Sequence, residues 1–195
     1  MSDSKIPLKE RMKIDRQVMP EQEGRQRAGN FEEVNLGFTE KIALLEARRC
    51  IQCKKPRCIE GCPVSVNIPR FLEHIVGGDM PAAARSLFGD NALPAVTGRV
   101  CPQEVQCECH CVRGKKGKPV AIGYLERFVA DWARAHAGTV VIEPRGASGK
   151  KVAIVGGGPA GLTAAGELVK CGHEVTIYEA LHKPGGVLVY GIPEF

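Results

Sequence analysis

The stretch CIQCKKPRCIEGCP, residues 50–63, carries four cysteines in the spacing C-x2-C-x4-C-x3-C-P. Intervals of two and four residues let one loop wrap three corners of a single iron-sulfur cluster, and a cysteine a few residues further on can turn away to a second cluster. The same C-x2-C start with two later cysteines also suits a tetrahedral zinc site. Two features favour iron: Pro63 directly follows Cys62, and a second burst, CPQEVQCECHC at 101–111, also opens with a Cys-Pro pair. Counting alone gives two four-thiolate cages from Cys50, Cys53, Cys58, Cys62, Cys101, Cys107, Cys109 and Cys111. The crowding from Cys107 to Cys111 strains that division, because alternate residues of an extended segment point the same way and three neighbouring thiolates compete for corners. One of the three then reads as a bystander. His110 reads as a solvated neighbour, and Cys171 as a small buried hydrophobe.

Cysteine clusters of this kind are metal ligands in a reducing compartment and disulfides in an oxidising one. The first residues, MSDSKIPLKERMKIDRQVMPEQEG, are polar without a signal-peptide core, and no apolar run approaches 18 residues. The expectation is a cytoplasmic protein with no membrane contact. A net charge of +5 spread over 195 residues is too small to argue for nucleic acid. With 44% apolar residues the chain can build a core, and its length suits one to two domains.

Residues 1–37 have few apolar anchors and suit an arm draped over another surface or partly disordered. Residues 38–139 read as a helical domain. Thr39 is an N-cap candidate, with Ile42 and Leu45 on the apolar face, Arg48 and Arg49 as a charged flank, and Cys50 and Cys53 delivered at the helix end. Asn67-Ile-Pro69 starts a second helix with the stripe Phe71, Leu72, Ile75 and Val76. Asp79 with Pro81 starts a third, running to Gly89. A longer helix spans about Ile122 to His136, with Leu125, Phe128, Val129 and Ala133 in one sector and Arg127, Asp131 and Arg134 opposite. Glu126 falls at the edge of the apolar sector, where position alone makes it a solvated rim residue. Residues 140–150 read as a linker.

Residues 151–195 read as strand, turn, helix, strand. Gly156-Gly157-Gly158-Pro159-Ala160-Gly161 matches G-x-G-x-x-G, follows the apolar strand Val152–Val155 and opens a helix, and Glu179 closes the next strand. Such glycines let backbone approach a pyrophosphate at a helix N-terminus, where N–H groups and the helix dipole favour anions. Glu179 would accept from ribose hydroxyls and repel a 2′-phosphate, which points to FAD or NAD at this turn. Thiolate cages followed by a dinucleotide turn imply electron transfer between iron-sulfur clusters and a flavin.

The runs VMPEQEGRQRAGNFEEVNLGFTEKIALLEARRCIQC, CIEGCPVSVNIPRF, DNALPAVTGRVCPQEVQC, IGYLERFVADWA and VAIVGGGPAGLTAAGELVKCGHEVTIYEALHKPGGVLVYGIPEF together resemble the NADPH-dependent glutamate synthase small (beta) subunit family. The same architecture occurs in the large subunit of NADH-dependent ferredoxin:NADP oxidoreductase and, more distantly, in the amino-terminal part of dihydropyrimidine dehydrogenase. The resemblance implies an α-helical domain with two 4Fe-4S clusters followed by the start of an α/β Rossmann-like FAD domain. It assigns one cluster to Cys50, Cys53, Cys58 and Cys111, and the other to Cys62, Cys101, Cys107 and Glu126, which displaces the rim reading of Glu126. Cys109 departs from the family pattern and leaves open a swap with Cys107, Cys111 or Glu126. In this family the glycine turn (Gly156, Gly158, Pro159, Ala160, Gly161) binds FAD, with Glu179 on the ribose and Gly185-Gly186 approaching the cofactor.

The family's later FAD contacts and its NAD(P)H site lie beyond Phe195, so the chain is expected to be an incomplete part of the NAD(P)H-dependent oxidoreductase. The resemblance implies electron flow from NAD(P)H through FAD and the clusters to a partner, either the large glutamate synthase subunit or, in the ferredoxin:NADP branch, another iron-sulfur flavoprotein subunit. A zinc-binding interaction module with a vestigial nucleotide fold is the alternative from another class.

Overall fold

Several early helices start where a capping side chain closes them. In the computed structural model, which describes residues 6–140, 142, 143, 145–193 and 195, two short helical turns, α1 (Leu8–Arg11) and α2 (Gly24–Arg27), punctuate the amino-terminal arm. Helix α3 (Glu40–Arg48) is capped by the Thr39 hydroxyl, which accepts from the Ile42 N–H. After the short turn α4 (Arg57–Glu60), α5 (Ile68–Val76) is capped by Asn67 and α6 (Met80–Asp90) by Asp79, each with proline in its first turn, where the missing N–H costs nothing. A further helix, α7 (Pro94–Val100), begins on Pro94 and had no periodic signal to announce it. The longest, α8 (Ile122–Ala135), ends with His136 as its cap.

The apolar stripes meet in one core. Phe71, Leu72 and Ile75 of α5, Ala83, Ala84 and Leu87 of α6, Ala43 and Ala47 of α3, and Leu125, Val129 and Ala133 of α8 are all buried together. Helices α7 and α8 approach closely at Gly98, where an added Cβ would lie 2.6 Å from the Arg127 backbone nitrogen. That contact is backbone against backbone and admits only glycine.

Three polar readings are corrected by this packing. Arg49 is 1% exposed rather than part of a charged flank. It pairs with the equally buried Glu46 and donates to the carbonyls of Ile14, Lys118 and Pro119. Arg127 is buried too, reaching Asn35 O at 2.6 Å and Asp131. Glu126 is 8% exposed, so the rim reading from position alone fails. In each case hydrogen-bond partners distant in sequence stabilise a charge that periodicity cannot place.

The described residues divide into two compact units. The first takes residues 6–29 and 34–140, and the second takes 30–33 with the described residues from 142 onward. The second is a βαβ unit: β1 (Lys151–Val155), α9 (Pro159–Lys170) and β2 (Glu174–Tyr178), followed by the turn α10 (Val187–Tyr190). The strands pair in parallel with Ala153 opposite Thr176. Cys171 is exposed, contrary to its reading as a buried hydrophobe: it is the cap residue just past the last turn of α9. Among the described residues, no helix is long and apolar enough to cross a membrane.

Candidate iron-sulfur and dinucleotide sites

The loop that leaves α3 carries Cys50 and Cys53, the turn α4 carries Cys58, and the second burst returns to bring Cys111 to the same place. These four thiols line one pocket, open to solvent, whose walls are Ile68, Leu72, Val120 and Ile122. All nine cysteines are free thiols. Burial, followed by the electrostatic pressure of their neighbours, pushes the Cys50 thiol up to about 11 and that of Cys58 up to about 12. Cys53 is raised by burial and by Cys111. Four sulfurs forced together in an apolar pocket cannot all be thiolates unless positive charge joins them, and a bound metal inverts this balance by supplying it.

A second group forms where α7 meets α8. Cys101 follows the last turn of α7, Cys107 is buried in the second burst, and Glu126 enters from α8. Cys101 is raised by burial, then by Glu126 and Cys62. Cys107 is pushed up to about 12 by burial, by Glu108, and by the same two residues. Glu126 and Cys62 thus both bear on Cys101 and Cys107. Burial raises the Glu126 carboxyl, and hydrogen bonds from Thr97 and Asn91 draw it back. Both bonds land on Oε1, Asn91 Nδ2 donating at 2.9 Å, and neither uses Oε2.

The first burst divides between two places: Cys50, Cys53 and Cys58 line one pocket with Cys111, while Cys62 acts electrostatically on Cys101 and Cys107. Cys109 and His110 are exposed, and His110 Nδ1 lies 2.8 Å from Gln106 O. Among the described residues, no group of three or more His, Cys, Asp or Glu side chains is placed to hold a single metal ion. A zinc ion needs its sulfurs about 2.3 Å away.

Sequence reasoning missed the residues that support these groups. Asn91 and Thr97 reach Glu126 across 35 and 29 residues, and no local pattern marks either. Two arginines of the arm were also missed. Arg11 donates to Cys50 O at 2.7 Å, and Arg16 pairs with buried Glu108 at 2.8 Å.

In the second unit, the glycine turn runs from the end of β1 into α9. Gly156 has φ +99°, and a Cβ at Gly161 would meet Gly156 O at 2.0 Å, so helix and turn close tightly only with glycine there. At Gly158, the helix cap, a Cβ would meet no protein atom within 4 Å. The space over that backbone is open, as a pyrophosphate at the N–H groups of Ala160 and Gly161 would require, Pro159 at the first helical position having no N–H to give. The Glu179 carboxylate accepts from the N–H groups of Gly157 and Leu181 at 2.7 and 2.8 Å, and these backbone bonds hold it below the usual carboxylate range. Gly185 donates to Gly157 O at 2.8 Å, and Gly186 lies against Gly158, which brings all the glycines of the sequence reading to one place.

Comparison with known proteins agrees with this architecture. Residues 27–138 match the family described as dihydropyrimidine dehydrogenase domain II, 4Fe-4S cluster, and residues 154–189 match an NAD(P)-binding Rossmann-like domain. The chain is 40% identical over 165 residues to the NAD-dependent dihydropyrimidine dehydrogenase subunit PreT of Escherichia coli, covering 85% of this chain and 40% of that protein. It is 36% identical over 182 residues to the glutamate synthase [NADPH] small chain of Halomonas elongata, covering 93% of this chain and 39% of the relative. The corresponding protein of Azospirillum brasilense is 38% identical over 171 residues, 87% and 36% of the two chains. The chain thus spans about two fifths of the length of the curated relatives it matches. The glutamate synthase small-chain resemblance is borne out, as is a helical iron-sulfur domain followed by a Rossmann-like segment. With more than half its length matched, the chain belongs to the dihydropyrimidine dehydrogenase domain II, 4Fe-4S cluster, family.

Proposed function

We propose that this chain is part of an NAD(P)H-dependent iron-sulfur flavoprotein subunit that passes electrons through FAD and two 4Fe-4S clusters to a partner subunit, in the manner of a glutamate synthase small chain. In this reading Cys50, Cys53, Cys58 and Cys111 hold one cluster. Cys62, Cys101, Cys107 and Glu126 hold the other. Gly156, Gly158, Pro159, Ala160, Gly161, Glu179, Gly185 and Gly186 hold FAD, and the NAD(P)H site lies outside these residues. The observation that supports it is the sorting of seven cysteines and one buried glutamate into two sets of four, one lining a shared pocket and the other joined by electrostatic coupling to Cys101 and Cys107.

The cofactors supply the redox chemistry, hydride capture by the flavin and one-electron traffic at the clusters, and the protein supplies binding, orientation and electrostatics. Glu126 offers a hard oxygen beside three soft thiolates, and Asn91 and Thr97 fix its rotamer through Oε1 so that Oε2 is free to ligate. As ligands the thiolates would add negative charge at each site, which Arg11 beside Cys50 would offset there. At the glycine turn the free N–H groups of α9 orient a pyrophosphate, and the ionised Glu179 selects a ribose without a 2′-phosphate.

Anaerobically purified protein should be brown and hold iron near the roughly eight per chain that two cubanes require. Stoichiometric zinc without iron would overturn the reading and leave a zinc-binding module. The relatives named as a subunit and as small chains support a partner subunit for this chain too. A second reading for that partner rests on the 40% identity to a dihydropyrimidine dehydrogenase subunit. Glutamine- and 2-oxoglutarate-dependent oxidation of NADPH by the full complex supports the first reading. Reduction of a pyrimidine by NADH, without glutamine turnover, supports the second.

A further inference from the structure

The residues before the family match, which begins at 27, are stitched to the loops that carry the thiols. Arg113 donates to the carbonyls of Arg11, Met12 and Ile14 at 2.6–3.2 Å, and Arg49 donates to Ile14 O at 3.1 Å. Both arginines are buried, and Arg49 also pairs with Glu46 and donates to the carbonyls of Lys118 and Pro119. The arm answers with two cations of its own, one toward each group of ligands. Arg11 donates through Nη1 to Cys50 O at 2.7 Å. Arg16 donates to Pro119 O and forms a 2.8 Å ion pair with Glu108, which is 3% exposed and adjoins Cys107.

We propose that the arm is an electrostatic strap: Arg11 positions Cys50 and raises the reduction potential of the first cluster, while Arg16 neutralises Glu108 and raises that of the second. The inference rests on the cluster reading above. The physical reason is that reduction adds negative charge to a site already rich in it, so a nearby cation favours the reduced state and an uncompensated carboxylate opposes it. Within a few ångströms of a ligand backbone, and partly shielded from water, such a charge is weakly screened. The two arginines lie five residues apart on one segment yet reach different groups, so their effects should separate.

The test uses the full chain reconstituted anaerobically with iron and sulfide, with each cluster's midpoint followed by electron paramagnetic resonance during a redox titration. Glu126→Ala assigns the signal of the second cluster. Arg11→Gln should lower the first cluster's midpoint, making it about tenfold less reduced at fixed potential, about 59 mV for one electron, with the second unmoved. Arg11→Lys should recover most of the loss. Arg16→Gln should lower only the second midpoint, and Arg16→Gln with Glu108→Gln should bring it back. Unchanged midpoints, equal shifts in both clusters, or an Arg11→Lys protein as low as Arg11→Gln would overturn the proposal. If Arg11→Gln loses the first cluster, retention by Arg11→Lys supports the strap and loss by both variants overturns it. A wild-type protein that takes up no iron fails the cluster reading itself, an outcome distinct from filled clusters whose potentials do not move.

Discussion

A carboxylate on the inward side of a helix is costly unless a cation or donors meet it. Glu126 has two donors on one oxygen, and its charge raises the thiols of Cys101 and Cys107 in its own group, so a cation among these residues would stabilise them together in their ionised forms. Glu126→Ala should disturb the spectroscopic signal of one cluster and leave the other, and equal loss of both would count against the assignment. The glycine turn offers a paired test. Gly158→Ala meets open space and should change stability by less than about 0.5 kcal/mol while weakening FAD binding by tenfold or more. Gly161→Ala drives a Cβ into Gly156 O and should cost about 1–3 kcal/mol of the second unit's stability. Isothermal titration and thermal melts separate the two, and a Gly158→Ala protein that binds FAD normally would remove the turn from the site.

Glu179 also sets a pH dependence. Backbone N–H groups favour its charged form and lower its folded value, so its contribution to the turn is full above the ordinary carboxylate value of about 4.3 and is lost as pH falls through the depressed one. Side-chain carbon chemical shifts should titrate below about pH 4.3. A midpoint above it would show that the carboxylate does not hold these bonds in solution.

At the scale of elements, the second group of ligands depends on how closely α7 lies on α8. Gly98 lets the backbones touch, which brings Thr97 to Glu126 and sets Cys101 at the end of α7 beside them. Gly98→Ala should force the helices apart, and iron should fall from about eight to about four per chain as the second cluster is lost. The four ligands of the other group lie on α4 and on loops away from this contact, so its cluster should remain. Simultaneous loss of both clusters at low temperature, with helix content intact, would show that the two groups are not independent.

At the scale of the molecule, burying thiols at such cost implies that metal binding supports the first unit's fold. Chelation of the iron should lower the midpoint of thermal unfolding for residues 34–140 and expose the amides around Cys50–Cys62 and Cys101–Cys111 to hydrogen exchange. The βαβ unit should be unaffected, because it holds none of these ligands. Unchanged exchange at both bursts after iron removal would mean that the protein scaffold alone holds the pockets.

Capping residues, proline in first turns and apolar periodicity are local properties, and they sufficed to mark α3, α5, α6 and α8 and the strand, turn and helix around Gly156–Gly161. Cysteine spacing likewise marked both bursts as metal chemistry, because ligand intervals are written along the chain. Helix α7 escaped, since a seven-residue helix opened by proline has too few turns to show a period. The burial of Arg49, Arg127 and Glu126, the hands of Asn91 and Thr97 on that glutamate, and the return of the arm through Arg11 and Arg16 were decided only by tertiary structure. These pairings stabilise charges through contacts separated by roughly 30 to 100 residues, and such contacts exist only once the chain has folded back on itself.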